Sequence, residues 1–254
     1  MRVLRNLTLT AAVLGASSLV AVGQGPDPAQ VLAAARAALG GEKNLTAVKT
    51  FVATGRTRQL RGNNLVPIEF EINCELPDRF VSKDEIPAQD TDISVSGFAA
   101  DTLIQSPAGR PGPSTNPAQQ RLTTVKQDFA RLTLGVFASS FPSYPLTFKY
   151  GGVGEAPEGK ADVIDVSGPE NFSARLVVQQ DTHLPVMLMW QQAAPGQPGP
   201  VEYQMYYADF REVSGIKWPF RIRRAVGGQT IEETTFDRIR INAKIDPKKF
   251  EAPR

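Results

Sequence analysis

The segment 161–190 constrains the fold most, because three strand patterns follow one another there with only short turns between them. Within 172–180, apolar and polar residues alternate with a period of two, which is typical of a strand with one buried face. The turns at 167–169 and 181–183 contain Ser, Gly, Pro, Asp and Thr, which favour tight reversals of the backbone. Because strands joined by short turns pair antiparallel, this segment predicts a meandering antiparallel sheet.

The same alternation recurs along most of the chain and is clearest at 66–76. Five apolar or small residues share one face of this strand, and three glutamates and an asparagine share the other. A shift of one residue would bury the glutamates, so the orientation of the strand is strongly specified. Further strands are predicted at 49–57, 79–83, 93–98, 101–105, 144–150, 161–166, 184–190, 201–212, 216–225 and 230–245, with a bulge near Asp237.

Two amphipathic helices accompany the strands. The first begins with Asp27 as N-cap and Pro28 at the first helical position, and it ends at Gly40-Gly41. The second, 117–134, begins after Asn116 and carries one apolar stripe. We therefore expect a mainly β protein with α-helices (α+β). Its single antiparallel sheet of roughly ten strands is expected to be strongly curved, with apolar groups on the inner side.

The N-terminus, 1–23, has the composition of a secretory signal peptide. Arg2 and Arg5 precede an apolar run, and small residues follow it before Gln24. Thr and Ser interrupt the run, so we expect cleavage rather than a retained transmembrane helix. The mature chain, 24–254, is long enough for one β domain with a sizeable core, and no second domain is predicted. These features predict a soluble exported protein.

Charge argues against nucleic acid as a partner. The chain has 28 Lys and Arg against 26 Asp and Glu, and removal of 1–23, which carries two arginines and no acid, leaves 26 of each. A nucleic-acid-binding protein normally has a basic surface with net positive charge. The C-terminal part, 217–254, is locally basic, with ten Lys or Arg against five Asp or Glu. This part either approaches anionic headgroups or an acidic envelope partner, or it is the solvated outer face of the last strands.

Groups suited to catalysis are scarce. The only histidine, His183, lies in a predicted turn, and no G-x-S-x-G nucleophile motif accompanies it. The only cysteine, Cys74, is in phase with the apolar residues of its strand, which indicates a buried small side chain rather than a reactive thiol. With one histidine and one cysteine, an ordinary zinc site is not expected. We therefore predict a protein that is not an enzyme and that uses no metal or cofactor.

Several stretches resemble bacterial exported proteins of the outer-membrane lipoprotein-sorting type, which have a LolA/LolB-like fold. They are 38–41 with 53–55, 181–186, 207–219 and 245–253, which read ALGG with ATG, DTHLPV, YADFREVSGIKWP and IDPKKFEAP. The resemblance covers nearly all of 24–254. It implies a single periplasmic half-barrel domain whose concave side is closed by helices and holds acyl chains.

The candidate binding site consists of apolar residues that would face the inner side of the sheet. Two helices are too few to cover so many strands, so part of this surface is free to bind a ligand. The second helix is expected to act as a lid, since it has one apolar stripe and lies between two irregular segments. The predicted ligand-binding residues are Phe51, Ile68, Phe70, Ile72, Phe80, Val125, Phe129, Phe148, Leu176, Leu188, Trp190, Met205, Tyr207, Trp218 and Phe220.

Two functions are consistent with these patterns. The first is a non-catalytic periplasmic carrier or binding protein for lipid or lipoprotein acyl chains. The alternative is an exported structural or interaction module of the cell envelope, in which the helices fill the interior as an ordinary core. In that case Arg221, Arg223 and Arg240 would carry the contact with an envelope protein. A continuous cavity would favour the carrier, and a packed interior would favour the module.

Overall fold

A computed structural model describes residues 26–87, 93–107, 116–193 and 198–251. The predicted signal peptide, 1–23, lies outside these residues. Within the described part, no helix is both long enough and apolar enough to cross a membrane.

The described chain contains three α-helices, one short 3₁₀ helix and twelve strands. The helices are α1 (Pro28–Ala38), α2 (Glu42–Ala47) and α3 (Pro117–Phe137), and the 3₁₀ helix is Pro247–Phe250. The strands are β1 (Thr50–Arg61), β2 (Asn64–Glu75), β3 (Arg79–Glu85), β4 (Ile93–Ala99), β5 (Thr102–Ser106), β6 (Thr147–Ala156), β7 (Gly159–Gly168), β8 (Phe172–Gln179), β9 (Pro185–Ala193), β10 (Pro200–Val213), β11 (Ile216–Val226) and β12 (Gln229–Ile241).

All twelve strands belong to one antiparallel sheet in the order β5-β4-β3-β2-β1-β12-β11-β10-β9-β8-β7-β6. The predicted number of roughly ten strands is too low. Even the short strands β4 and β5 are full members of the sheet, because pairing of Val95–Ala99 with Thr102–Ser106 satisfies their backbone groups. The edge strands β5 and β6 do not pair with each other in the described chain, so the sheet is open. The α+β class and the single antiparallel sheet are confirmed.

The predicted bulge near Asp237 is present in β12. Thr54 of β1 pairs with Arg238 and Gly55 pairs with Phe236, so Asp237 has no opposite residue in the β1–β12 ladder. The additional residue reverses the side-chain phase of the strand. Phe236 therefore reaches the core, although it is out of phase with the isoleucines that follow it.

Both long helices begin at the predicted caps. The side chain of Asp27 accepts a hydrogen bond of 2.9 Å from the N–H of Ala29, and the side chain of Asn116 accepts one of 3.2 Å from Gln119. Helix α3 continues beyond the predicted end to Phe137, whose ring is buried in the core. Helix α2 is not predicted from the sequence, because its six residues are too few to show a helical period.

Helix α3 lies on the inner face of a curved sheet. It contacts β4 and β5 near one edge, and it also contacts β9 and β11 in the other half of the sheet. A flat sheet could not bring these strands to one helix, so the sheet curves around α3. Rings from both sides meet there: the centroids of Phe129 and Phe98 are 5.4 Å apart, and those of Phe137 and Trp218 are 6.4 Å apart.

The C-terminal segment returns to the outer face of the sheet at β3, β4 and β5. Phe250 is buried against Val81 and Ile104. Nearby, Lys249 Nζ lies 2.8 Å from Glu71 Oε1 on β2. The main core and this small outer cluster therefore lie on opposite faces of the same strands.

Candidate functional site

A cavity of about 380 Å³ lies between α3 and the inner face of the sheet, within the size range of small-molecule sites. Seven strands, β1–β4 and β10–β12, contribute to its walls together with α3. Its apolar lining residues are Ile68, Phe70, Ile72, Phe80, Val125, Leu132, Met205, Ile222 and Phe236.

Six of the fifteen predicted binding residues line this cavity, namely Ile68, Phe70, Ile72, Phe80, Val125 and Met205. The other nine do not line it and belong to the main core or pack against it: Phe51, Phe129, Phe148, Leu176, Leu188, Trp190, Tyr207, Trp218 and Phe220. Phe51 and Trp218, for example, make an edge contact with 4.9 Å between ring centroids and are both 0% exposed. Strand phase identifies the inner face of the sheet, but it does not show where that face is covered.

Three apolar lining residues, Leu132, Ile222 and Phe236, are absent from the predicted set. Ile222 has a clear sequence signal, because it is in phase with Trp218 and Phe220 on β11. Phe236 lacks such a signal, since the bulge in β12 changes its phase.

Nine polar side chains also line the cavity, and five of them lie near the ends of β1, β11 and β12 where the β1–β2 and β11–β12 hairpins turn. The nine are Thr57, Gln59, Ser82, Asp84, Ser96, Asp128, Arg224, Glu232 and Thr234. None of them belongs to the predicted site. Several continue the inner-face phase of an apolar residue on the same strand, as Arg224 does after Ile222. That continuation is the signal by which the sequence could have revealed them.

Arg224 and Glu232 form the most polar wall of the cavity. Glu232 Oε2 accepts a hydrogen bond of 3.0 Å from Gln59 Nε2, and Glu232 Oε1 lies 3.8 Å from Arg224 Nη1. Arg224 makes no hydrogen bond to any residue that the structure describes, and its Nε is buried. A buried N–H without an acceptor is unfavourable, so this guanidinium has unused hydrogen-bonding capacity.

Arg131 of α3 is a second guanidinium next to the cavity, and it is more deeply buried than that of Arg224. Only 6% of its side chain is exposed, and its Nη1 donates to Asp128 Oδ1 at 2.8 Å. Its Cζ lies 4.5 Å from the ring centroid of Trp190, while its buried Nε has no acceptor within the described chain. Burial lowers the pKa of Arg131, and the positive charge of Arg224 lowers it further. The two guanidinium groups are thus close enough to repel each other.

Asp84 is a carboxyl group of the same cavity without an ion-pair partner among the described residues. Its Oδ1 accepts a hydrogen bond of 2.9 Å from Ser82 Oγ. Burial raises the pKa of Asp84 despite this bond, and the negative charge of Glu232 raises it further. The neutral form of Asp84 is therefore favoured relative to an exposed aspartate.

The two halves of α3 differ in burial. From Phe129 to Phe137 every residue is buried except Leu132, whereas most of 117–128 is exposed or half-buried. In the buried half, a Cβ added at Gly135 would lie 2.2 Å from the ring of Tyr207. This half is therefore part of the core, and only the N-terminal half is placed so that it could act as the expected lid.

A second depression, of about 580 Å³, lies on the outer face of β9–β12 and beside the β6–β7 turn. Val186 and Tyr206 line it and belong to a small apolar cluster on this face. The Cζ of Arg223 lies 4.2 Å from the ring centroid of Tyr206, and Arg221 Nε lies 3.9 Å from Glu233 Oε1. We refer to this depression as the outer groove.

The single histidine and the single cysteine lie outside both depressions. His183 is exposed in the turn between β8 and β9, where its backbone N–H donates to the carbonyl of Gln179 at 2.8 Å. Cys74 is 0% exposed, and burial raises the pKa of its thiol well above the usual range. The prediction that Cys74 is a buried side chain is confirmed. In the described ranges, no group of three or more His, Cys, Asp or Glu side chains is placed to hold a metal ion.

The chain is similar to solved structures, although no protein-family model and no curated protein matches its sequence. A LolA superfamily protein from Nitrosomonas europaea superposes with a TM-score of 0.57 and 11% identity, covering 89% of this chain and 98% of the other. An outer membrane lipoprotein-sorting protein domain from Vibrio parahaemolyticus gives 0.51 and 9%, covering 79% and 88%. A DUF1329 family protein from Desulfovibrio piger gives 0.50 and 9%, covering 89% and 98%.

Identities of 9–11% support a common fold and do not transfer an activity. The matches extend over most of this chain and over most of each matched structure. They agree with the curved sheet around α3 and with the resemblance that the sequence motifs indicate. The chain therefore has a LolA-like fold.

Proposed function

We propose that the protein is an exported, non-catalytic carrier that binds the acyl chain of a lipid or of a lipoprotein between α3 and the sheet. The observation that carries this proposal is the cavity of about 380 Å³, where nine apolar side chains from five strands and α3 surround one space. The LolA-like fold supports the same function. After removal of 1–23, such a carrier would work in the periplasm.

The hydrophobic effect is sufficient for this function. Each methylene group that leaves water contributes about 0.8 kcal/mol, so a chain of about fourteen methylenes would gain on the order of 10 kcal/mol. Immobilising the ligand and ordering the side chains around it offset part of this gain. The remainder gives useful affinity without any covalent chemistry.

Native mass spectrometry of protein purified without detergent tests the proposal directly. We expect a population that carries a bound lipid, and we expect the delipidated protein to bind a fluorescent fatty acid. If every preparation is free of ligand and the probe does not bind, the carrier function is wrong.

A pair of tryptophan substitutions tests whether the cavity is the binding site. Val125 lines the cavity, so Val125→Trp should fill the space and prevent probe binding. Val153 is 61% exposed on β6, so Val153→Trp adds the same ring away from the cavity and should leave binding unchanged. Equal binding by both variants would place the acyl site elsewhere.

The outer groove favours a second candidate function, an interaction module of the cell envelope. Arg221 and Arg223, two of the three arginines expected to contact a partner, line this groove, whereas Arg240 does not. Arg223 makes no ion pair with the described residues. Its guanidinium lies against Tyr206, and Nη1 donates a hydrogen bond of 3.5 Å to Thr230 Oγ1. An acidic segment of a partner protein would fit an apolar floor next to these two cations.

Charge reversal distinguishes the second candidate from the first. The double substitution Arg221→Glu with Arg223→Glu should abolish function in a complementation assay if the outer groove binds the partner. Arg238→Glu is a matched control, because Arg238 is exposed on β12 outside both depressions. If Val125→Trp abolishes function and the double variant does not, the carrier function alone is sufficient.

A further inference from the structure

We propose that the cavity selects an anionic amphiphile, whose carboxylate or phosphate group is bound by Arg224 beside Arg131 while its acyl chain lies on the apolar wall. The proposal rests on the carrier function above and specifies the chemical class of the ligand. The carrier function alone requires only an apolar chain, so the two can fail separately.

The distribution of polarity in the cavity is the first argument. All three side chains that β2 contributes to the cavity, Ile68, Phe70 and Ile72, are apolar, and Phe80 of β3 and Met205 of β10 extend this apolar wall. Towards the hairpin ends of β11 and β12, the wall becomes polar at Arg224 and Glu232. A purely apolar ligand would leave the polar wall without new partners or would desolvate it. A ligand with an apolar chain and a polar head matches both walls.

The charge of the ligand's head group follows from the hydrogen-bond donors that have no partner in the protein. Among the described residues, the buried side-chain atoms without a partner are the Nε atoms of Arg121, Arg131 and Arg224 and Nε1 of Trp218. All four are donors, and Arg224 lines the cavity. The ligand must therefore supply an acceptor. A guanidinium group binds carboxylate and phosphate oxygens more strongly than neutral oxygens, because the hydrogen bonds are charge-assisted and the fork geometry matches.

The carboxyl groups of the cavity do not reverse this preference. Asp128 already accepts from Arg131, and Glu232 already accepts from Gln59. Asp84 accepts from Ser82, and its burial disfavours its charged form. Each acidic side chain thus has a donor within the protein. Arg224 is ion-paired with Glu232 at 3.8 Å, which is too long for a hydrogen bond, so its N–H groups have no acceptor among the described residues.

Competition between ligands of equal chain length tests the head group. Displacement of a fluorescent fatty acid from the wild-type protein measures the affinity of each ligand, at concentrations below those at which the ligands aggregate. The ligands are palmitate, hexadecanol, methyl palmitate, hexadecylamine and palmitoyl lysophosphatidic acid. We expect at least one of the two anions to bind about tenfold or more tightly than the alcohol and the methyl ester. Comparison of palmitate with lysophosphatidic acid then separates a carboxylate head from a phosphate head.

Substitution of Arg224 tests its role. Arg224→Gln should reduce the affinity for the preferred anion about tenfold or more and leave that for hexadecanol within about twofold. Arg238→Gln removes one positive charge from the outer face of β12 and should change neither affinity. Thermal unfolding of both variants establishes that they are folded, and the ligand comparison in the wild type does not depend on them.

The outcomes are distinguishable. Equal affinity for the anions, the alcohol and the ester, or tighter binding of the amine, would overturn the anionic selectivity and leave the carrier function in place. An equal loss of palmitate and hexadecanol binding in Arg224→Gln would also overturn it, because the arginine would then act only on the fold. If none of the five ligands binds the wild type, the carrier function itself is wrong.

Discussion

The two ends of the inner face are built from the same strands, but one end is filled and the other contains a cavity. Near the start of β1, Phe51 packs against Phe137 and Trp218 with ring centroids 4.9–6.4 Å apart, and these three residues are at most 2% exposed. Further along the same strand and in the same phase, Thr57 and Gln59 face the cavity. One strand therefore passes from a packed core to an open space within eight residues.

The difference between the two ends comes from the helices. The buried half of α3 fills one end, and α1 and the loop 138–146 add apolar groups there. The other half of α3 contributes only Val125, Asp128 and Leu132 to the cavity walls. A cavity persists only if its walls cannot collapse onto one another, and the packed end holds them apart.

Substitution at the filled end should have the largest effect on stability. Phe51→Ala removes a ring that is 0% exposed and leaves a void between Phe137 and Trp218. We expect a loss of about 3–5 kcal/mol in the free energy of unfolding, measured by urea denaturation. A loss below about 1 kcal/mol would show that this end is not the rigid part of the molecule.

A matched substitution at the cavity should reduce stability less than Phe51→Ala does, but it should weaken ligand binding. Ile72→Ala removes a half-buried side chain that already faces the cavity, so it creates little new void. We expect a loss of about 1–2 kcal/mol in the free energy of unfolding, together with weaker binding of a fluorescent fatty acid. If Ile72→Ala destabilises the protein as much as Phe51→Ala, the cavity end is as tightly packed as the filled end.

The sequence predicts the sheet well because strand phase is a local property. A period of two places Ile68, Phe70 and Ile72 on one face, and a register error would bury glutamates. The sequence predicts the site less well, because the position of α3 on the sheet is not a local property. Phe51 and Phe70 both belong to the core on the inner face of neighbouring strands, and the path of the helix decides that only Phe70 also lines the cavity.

The polar wall of the cavity is harder to recognise from the sequence than the sheet, for a related reason. Arg224, Glu232 and Asp84 lie towards the ends of their strands, where polar residues are usual and indicate approaching solvent. The role of Gly135 is equally hard to see in the sequence, because a glycine within a helical pattern indicates only a less stable helix. Its role is the close approach of the Tyr207 ring, and that ring comes from a strand 72 positions later in the chain.

The polar wall also predicts a pH-dependent effect on stability. Because burial raises the pKa of Asp84 in the folded protein, its ionised form destabilises the fold at neutral pH. Asp84→Asn keeps an oxygen for the Ser82 hydroxyl and removes the charge, so it should raise Tm at pH 7. The gain in Tm should disappear as the pH falls below 3.8, the ordinary pKa of an aspartate, because Asp84 is then protonated in both the folded and the unfolded protein. A gain that persists at low pH would show that removal of the charge is not its cause.

The smallest effect is expected from the hydroxyl pair next to the cavity. The Oγ1 atoms of Thr57 and Thr234 are 2.8 Å apart and join β1 to β12. Replacing both by valine removes donor and acceptor together, so no buried group loses its partner, and the shape of the side chains is kept. We expect the double variant to lie within about 0.5 kcal/mol of the wild type in urea denaturation, and each single variant to be no more stable than the double. A loss above about 2 kcal/mol in the double variant would show that this end depends on specific polar contacts as strongly as the filled end depends on its aromatic rings.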